Sequence, residues 1–152
     1  MNGFQELLKG CAPEGTKVLD VGAGGFCGAT TTQFLTLMFP QKDITLIELK
    51  EGLIPPLKEA FPEANVVCGN FFEYSPRNKY GLVSVDLNFM YHVTRWDAIL
   101  GTAYRLLKKG GMLITYTINS LEGLSMVKGS HDDARMLVKD ILGTNESYVS
   151  KE

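Results

Sequence analysis

From Lys17 to Phe26 the chain reads Lys-Val-Leu-Asp-Val-Gly-Ala-Gly-Gly-Phe, a short apolar run with an acid at Asp20 that passes into a cluster of glycines. Glycine has no Cβ, so the backbone turns tightly there and can approach a ligand closely. A second apolar run over 44–49 carries another acid, Glu48. Strand, glycine turn, helix, strand and acid, in that order, outline half of a nucleoside-cofactor site.

Those residues need elements to hold them. Val18 to Val21 reads as the first strand and 44–49 as the second. Between them, Phe34, Leu35, Leu37, Met38 and Phe39 recur at helical spacing. They predict a helix over 30–39 whose first amides face whatever the turn holds. A short helix is expected over 53–61 with Pro55 and Pro56 in its first turn, then strands over 64–68 and 81–87. Thr94 and Asp97 have capping-box spacing and open a helix through Trp96, Leu100, Tyr104 and Leu107. Lys108 and Lys109 would occupy its last turn, and Gly110-Gly111 would stop it. A fifth strand over 112–118, a last helix over 132–142 and a strand stub over 147–150 follow, and a short helix over 4–8 leads the chain. This alternation predicts one α/β domain over residues 1–152, with a doubly wound, mostly parallel sheet covered on both faces.

Bulk properties narrow the function classes. The 152 residues are 45% apolar and 21% charged, ordinary for a globular domain. A formal net charge of −2 supplies no positive field to recruit nucleic acid or an anionic membrane. Cys11, Cys27 and Cys68 are odd in number and widely spaced, which favours reduced thiols in a cytoplasmic setting over disulfides or a zinc site. No metal-ligand pattern, leader or membrane-length apolar run is read.

The set Leu19-Asp20-Val21-Gly22-Ala23-Gly24, Glu48, Gly69-Asn70 and Leu106-Leu107-Lys108-Lys109-Gly110-Gly111 resembles the class I S-adenosylmethionine-dependent methyltransferases. Order and spacing agree over roughly residues 15–119, and Tyr91-His92-Val93 places the chain nearest the small-molecule, type 11-like branch. The resemblance implies a Rossmann-like methyltransferase fold, S-adenosyl-L-methionine as cofactor, and methyl transfer to a small-molecule acceptor. It implies that Gly22, Ala23 and Gly24 pass under the methionine part while Asp20 fixes that end of the cofactor and the loop. Glu48, with Leu49 beside it, would accept both ribose hydroxyls, a bidentate task suited to a carboxylate. Asn70, after Gly69, would accept from the adenine amino group, with Phe71 on the adenine face. Phe26 stands where the family's turn usually has a third glycine, and would pack over or beside the cofactor.

Methyl transfer from a sulfonium is an in-line displacement, so positioning supplies much of the acceleration. His92, with an intrinsic pKa near neutrality, is the candidate base, and Tyr91 the candidate substrate-positioning residue. Asp86 interrupts the apolar run over 82–87, so it either lies near the cofactor or pairs structurally.

Each assignment has a plainer rival. The glycines can simply make a strand-to-helix turn, Asp20 can cap the next helix, Glu48 can be a solvated strand-end acid, and Asn70 can be a turn residue. His92 can be a structural hydrogen-bonding residue and Tyr91 a core residue. Gly22-x-Gly24-x-x-x-Gly28 with Tyr104-x-x-x-Lys108 also matches short-chain dehydrogenase spacing, but the chain is too short for that family. Asn88-x-x-Tyr91 has the spacing of amide- and amine-modifying methyltransferases without their prolines.

The closing strand pair is expected to be reduced, with 146–152 supplying one short strand at best. An edge left that way needs cover from a second copy or a partner subunit. Two functions stay open: a methyltransferase acting alone, and a partner-dependent or non-catalytic cofactor-binding module of the same fold.

Overall fold

The computed structural model describes residues 12–23, 30–86, 96–116, 125–127 and 148–150. The helices expected over 4–8 and 132–142, and Thr94 of the capping box, lie outside them.

Five strands follow the expected runs: Val18–Val21 (β1), Ile44–Glu48 (β2), Asn65–Cys68 (β3), Tyr80–Asp86 (β4) and Leu107–Tyr116 (β5). They form one parallel sheet, and Ser125–Val127 (β6) and Tyr148–Ser150 (β7) extend it in the order β3-β2-β1-β4-β5-β6-β7. Every residue of β1 and β2 is buried, as expected of strands covered on both faces.

Alternate residues feed two cores. Leu19, Val21, Ile47, Val83 and Val85 share a cluster with Ile99, Ala103 and Leu106 of the helix Trp96–Leu106 (α3). Val18, Ile44, Leu46 and Leu82 share the other with Phe34 and Leu35 of Thr30–Thr36 (α1) and Leu57 of Ile54–Ala60 (α2). Burying each such side chain contributes about 1.5–3 kcal/mol before entropy is set against it. The fold is therefore the doubly wound α/β domain expected, with Pro55 and Pro56 at the start of α2, where their missing N–H groups are harmless.

Two boundaries and the closing strands differ from expectation. Helix α1 ends at Thr36, because Leu37 and Met38 already bond three residues back and Pro40 follows, which disfavours helical backbone before it. Helix α3 ends at Leu106, and Lys108, Lys109 and Gly110 belong to β5, not to a last helical turn. The pairing jumps there from Tyr80 opposite Leu107 to Leu82 opposite Met112, and Gly110 takes the left-handed φ of 78° that this irregularity requires. Finally, two short closing strands are present among the described residues, where one was expected. Three-residue β6, not expected from the sequence, pairs antiparallel with Leu113–Thr115, and β7 touches both β5 and β6, so the β5 edge is paired.

At the amino ends of the strands the backbone packs closely. A Cβ on Gly111 would lie 2.8 Å from the Lys108 carbonyl oxygen and 3.1 Å from that of Gly81. Gly52, by contrast, has nothing within 4 Å of such an atom and no positive φ. Gly111→Ala should therefore destabilise the protein by about 1–3 kcal/mol in urea unfolding, whereas Gly52→Ala should be neutral or stabilising by up to about 1 kcal/mol.

Candidate functional site

Sheet order places a switch at β1. The chain leaves it toward β2 and β3 on one side, then crosses to β4 on the other. Ligands of open α/β sheets bind at the carboxyl ends of strands beside such a switch. The ends of β1, β2 and β3 there carry Asp20, Gly22, Glu48, Gly69 and Asn70, so the sequence-selected residues of three separate segments converge on one edge.

Gly22 leaves β1 with φ 73°, a left-handed conformation that suits glycine, and its N–H donates to the Ile47 carbonyl at 3.0 Å. Ala23 is buried in the core beneath. Asp20 is completely buried, abreast of Leu46 on β2 and Ser84 on β4. Its Oδ2 accepts a 2.6 Å hydrogen bond from Thr32 Oγ1 on α1. This bond was not anticipated, because Thr30-Thr31-Thr32 reads only as a polar helix start. Asp20 thus reaches α1 as its helix-cap rival supposed, but through a threonine side chain in the helix body.

Glu48 is only 1% exposed at the end of β2, although acids are almost never fully buried without partners. Its Oε1 accepts from the Lys50 N–H at 3.1 Å, and its carbonyl accepts from the Gly69 N–H at 3.0 Å. The solvated strand-end alternative therefore does not hold. Leu49 beside it is exposed.

Gly69 has no positive φ, and a Cβ there would meet nothing nearer than Val67 Cγ1 at 3.9 Å. Neither a positive φ nor a close contact demands glycine there. Asn70 Oδ1 accepts from the Phe72 N–H at 3.0 Å, capping the turn Phe71–Glu73. The turn role is therefore real, and the oxygen's second lone pair keeps acceptor capacity. Phe71 belongs to the buried core, its ring centroid 5.4 Å from that of the more exposed Phe72.

The segment after this turn is tied down. Arg105 Nη2 of α3 donates to the Tyr74 carbonyl at 2.8 Å, and the Tyr74 and Tyr80 hydroxyls share a 2.8 Å hydrogen bond. Burial first, then that bond, pushes the Tyr74 pKa well above the usual tyrosine value, so the hydroxyl stays protonated.

Asp86 ends β4 opposite Tyr116, which brings its backbone to the same edge; its side chain lies outside the described set. Gly24, Phe26, Tyr91 and His92 also fall outside the described residues. Among the described residues, no group of three His, Cys, Asp or Glu side chains could hold a metal ion. Nor is any described helix long and apolar enough to cross a membrane. A cavity of about 310 Å³ lies at the opposite, amino edge, lined by 13–17, Gly81 and 108–111, away from these residues.

Comparison with known proteins agrees with this geometry. Residues 19–115 match the model of a methyltransferase domain family. A malonyl-acyl-carrier-protein O-methyltransferase of Priestia megaterium is 30% identical over 110 residues, covering 68% of this chain and 37% of its own. Among solved structures, Streptomyces venezuelae DesVI superposes with a TM-score of 0.61 at 20% identity, covering 82% of this chain and 52% of its own. The amino pentose methyltransferase CalS10 of Micromonospora echinaspora, solved with S-adenosylmethionine bound, gives 0.61 at 21% identity, covering 78% and 50%. The chain thus spans little more than a third of the curated relative and about half of these solved chains.

Asn70→Ala should remove the cap at Phe72, lowering stability by about 0.5–2 kcal/mol and speeding hydrogen exchange at the Phe72 amide. Unchanged exchange there would refute the capping role.

Proposed function

Because the chain belongs to the methyltransferase domain family, we propose that it binds S-adenosyl-L-methionine at the carboxyl edge of β1, β2 and β3 and passes its methyl group to a small-molecule acceptor. The observation that carries the reading is the buried carboxylate of Glu48 on the edge that also carries Gly22, Gly69 and Asn70. A carboxylate has several acceptor sites, so beside its bond from the Lys50 N–H it can also accept from a pair of neighbouring ribose hydroxyls.

The remaining residues suit the same ligand. Gly22, in its left-handed conformation, suits a loop that passes under the methionine part, and Ala23, Gly24 and Phe26 follow it in the sequence. Asp20 fixes the start of the loop. Asn70 offers the adenine amino group its remaining acceptor capacity, and the exposed Leu49 and the Phe71–Phe72 pair give the base an apolar border. When bound, the sulfonium supplies an electrophilic methyl group, so the chain's own task is to bring a nucleophile in line with it and exclude competing geometries.

His92 takes the proton of an acceptor that must lose one, Tyr91 orients the acceptor, and Asp86 at the end of β4 completes the edge. The relatives are named for malonyl-acyl-carrier protein and for an amino pentose, so the acceptor is left to this chain's own residues. A small molecule suits the family branch that Tyr91-His92-Val93 resembles.

Calorimetric titration with S-adenosylmethionine, S-adenosylhomocysteine and NAD tests the proposal: the sulfur nucleosides should bind and NAD should not. Glu48→Ala should weaken S-adenosylhomocysteine binding by roughly ten- to a hundred-fold, the loss of about 1.5–3 kcal/mol from a charged acceptor. Equal affinity in wild type and variant would sink the ribose assignment. With an acceptor in hand, His92→Ala should slow methyl transfer by about 10²–10⁴-fold while leaving S-adenosylhomocysteine affinity intact.

A further inference from the structure

The irregular start of β5 does more than end a helix. Between the pairs Tyr80–Leu107 and Leu82–Met112, β4 contributes one residue, Gly81, and β5 contributes four, 108–111. Extra residues at such an irregularity stand outside the ladder and bend the strand outward. The cavity of about 310 Å³ lies beside this bend and is closed on its other side by residues 13–17, which lead into β1. We infer that this cavity is a binding site for a small phosphate-bearing anion, separate from the carboxyl edge. Lys17 and Gly22 lie at opposite ends of β1, roughly 16 Å of strand at ~3.3 Å per residue, so the two edges are distinct places.

The backbone builds the concavity. At its floor the segments meet so closely that only glycine fits: a Cβ on Gly81 would lie 2.8 Å from Thr16 Cγ2, and one on Gly111 2.8 Å from the Lys108 carbonyl oxygen. Gly15 and Gly110 have left-handed φ values of 84° and 78°, and a Cβ on either would meet nothing within 4 Å. Closed below and open above, the glycine backbone admits close approach of a ligand. The volume is at the low end of the roughly 300–1,000 Å³ of small-molecule sites, which suits a small metabolite.

Charge selects the ligand class. Lys17, Lys108 and Lys109 line the cavity, against Glu14 as the one acid among its described lining residues. Lys17 is already paired with the buried Asp43. Lys108 and Lys109 are exposed, and among the described residues neither has a carboxylate partner. Two neighbouring ammonium groups repel each other, and an anion between them turns that repulsion into attraction. A phosphate monoester carries about −1.5 to −2 at neutral pH on one compact group and so answers both lysines at once, whereas a single carboxylate answers one.

Titration of the ¹⁵N-labelled protein with inorganic phosphate, followed by NMR, tests this. The amides of Gly15, Gly81, Gly110 and Gly111 should shift saturably below roughly 10 mM. Combined Lys108→Gln and Lys109→Gln should weaken binding at least about tenfold, while Lys58→Gln, an exposed lysine of α2 outside the cavity, should stay within about twofold of wild type. Succinate, with its two charges on separate groups, should bind at least about fivefold more weakly than phosphate. Glycerol 3-phosphate binding more tightly than phosphate identifies an ester as the natural source, and equal affinity identifies the free ion; either supports the site. Absence of saturable shifts at these glycines overturns the inference. So does unchanged affinity in the double variant, equal affinity for succinate, or displacement of phosphate by S-adenosylhomocysteine. None of these readouts depends on methyl transfer, so the site stands or falls apart from the function proposed above.

Discussion

A carboxylate at the heart of a parallel sheet is the constraint around which this chain is arranged. Asp20 lies on β1, which has strands on both sides, and is cut off from water. An acid placed so must be given hydrogen-bond donors or the fold loses several kcal/mol. The Thr32 hydroxyl supplies one from the helix above, and so ties β1 to α1. Apolar burial alone would assemble the same layers without that tie.

The two ends of the sheet divide the work. At the amino ends the chain is packed tightly, with Gly111 and Gly81 filling places where any side chain would strike backbone or a neighbour. The Lys17–Asp43 ion pair ties the approach to β1 to the approach to β2 on that side. At the carboxyl ends the glycines have another character. Gly69 is not needed by its own backbone or by packing, and Gly22 takes a left-handed turn that suits glycine. Close backbone packing thus marks the amino edge, while the residues with the chemistry of a site gather at the carboxyl edge.

This division also explains what could be read from the sequence. Strands β1, β2 and β4 were legible because buried parallel strands are continuous apolar runs, and Glu48 was legible because an acid ending such a run is conspicuous. Lys108-Lys109-Gly110-Gly111 misled because cations followed by glycine are the ordinary signature of a helix end. In the fold the same residues make an irregular strand start, since pairing with β4 at Tyr80 claims Leu107. β6 has three residues and no room for a period to show. Thr32 escaped because its partner is twelve residues away across a turn, and nothing local distinguishes it from Thr31. Asn70 was readable as a turn residue, and its bond to the Phe72 amide is that local chemistry.

The same acids bear on which nucleoside cofactor suits the edge. A dinucleotide would bring its pyrophosphate to the glycine turn, next to Asp20. An acid there disfavours a phosphate beside it and favours a cation. The ammonium and sulfonium of S-adenosyl-L-methionine reverse that sign. Glu48 does not discriminate, since both kinds of cofactor present a ribose to it. The choice therefore falls on the acid of β1, just before the turn, rather than on the one that ends β2. α1 contributes no lysine or arginine in its seven residues to offset Asp20. An acidic, glycine-bearing turn without a compensating cation on the helix that follows is suited to a cationic ligand and poorly suited to a phosphate.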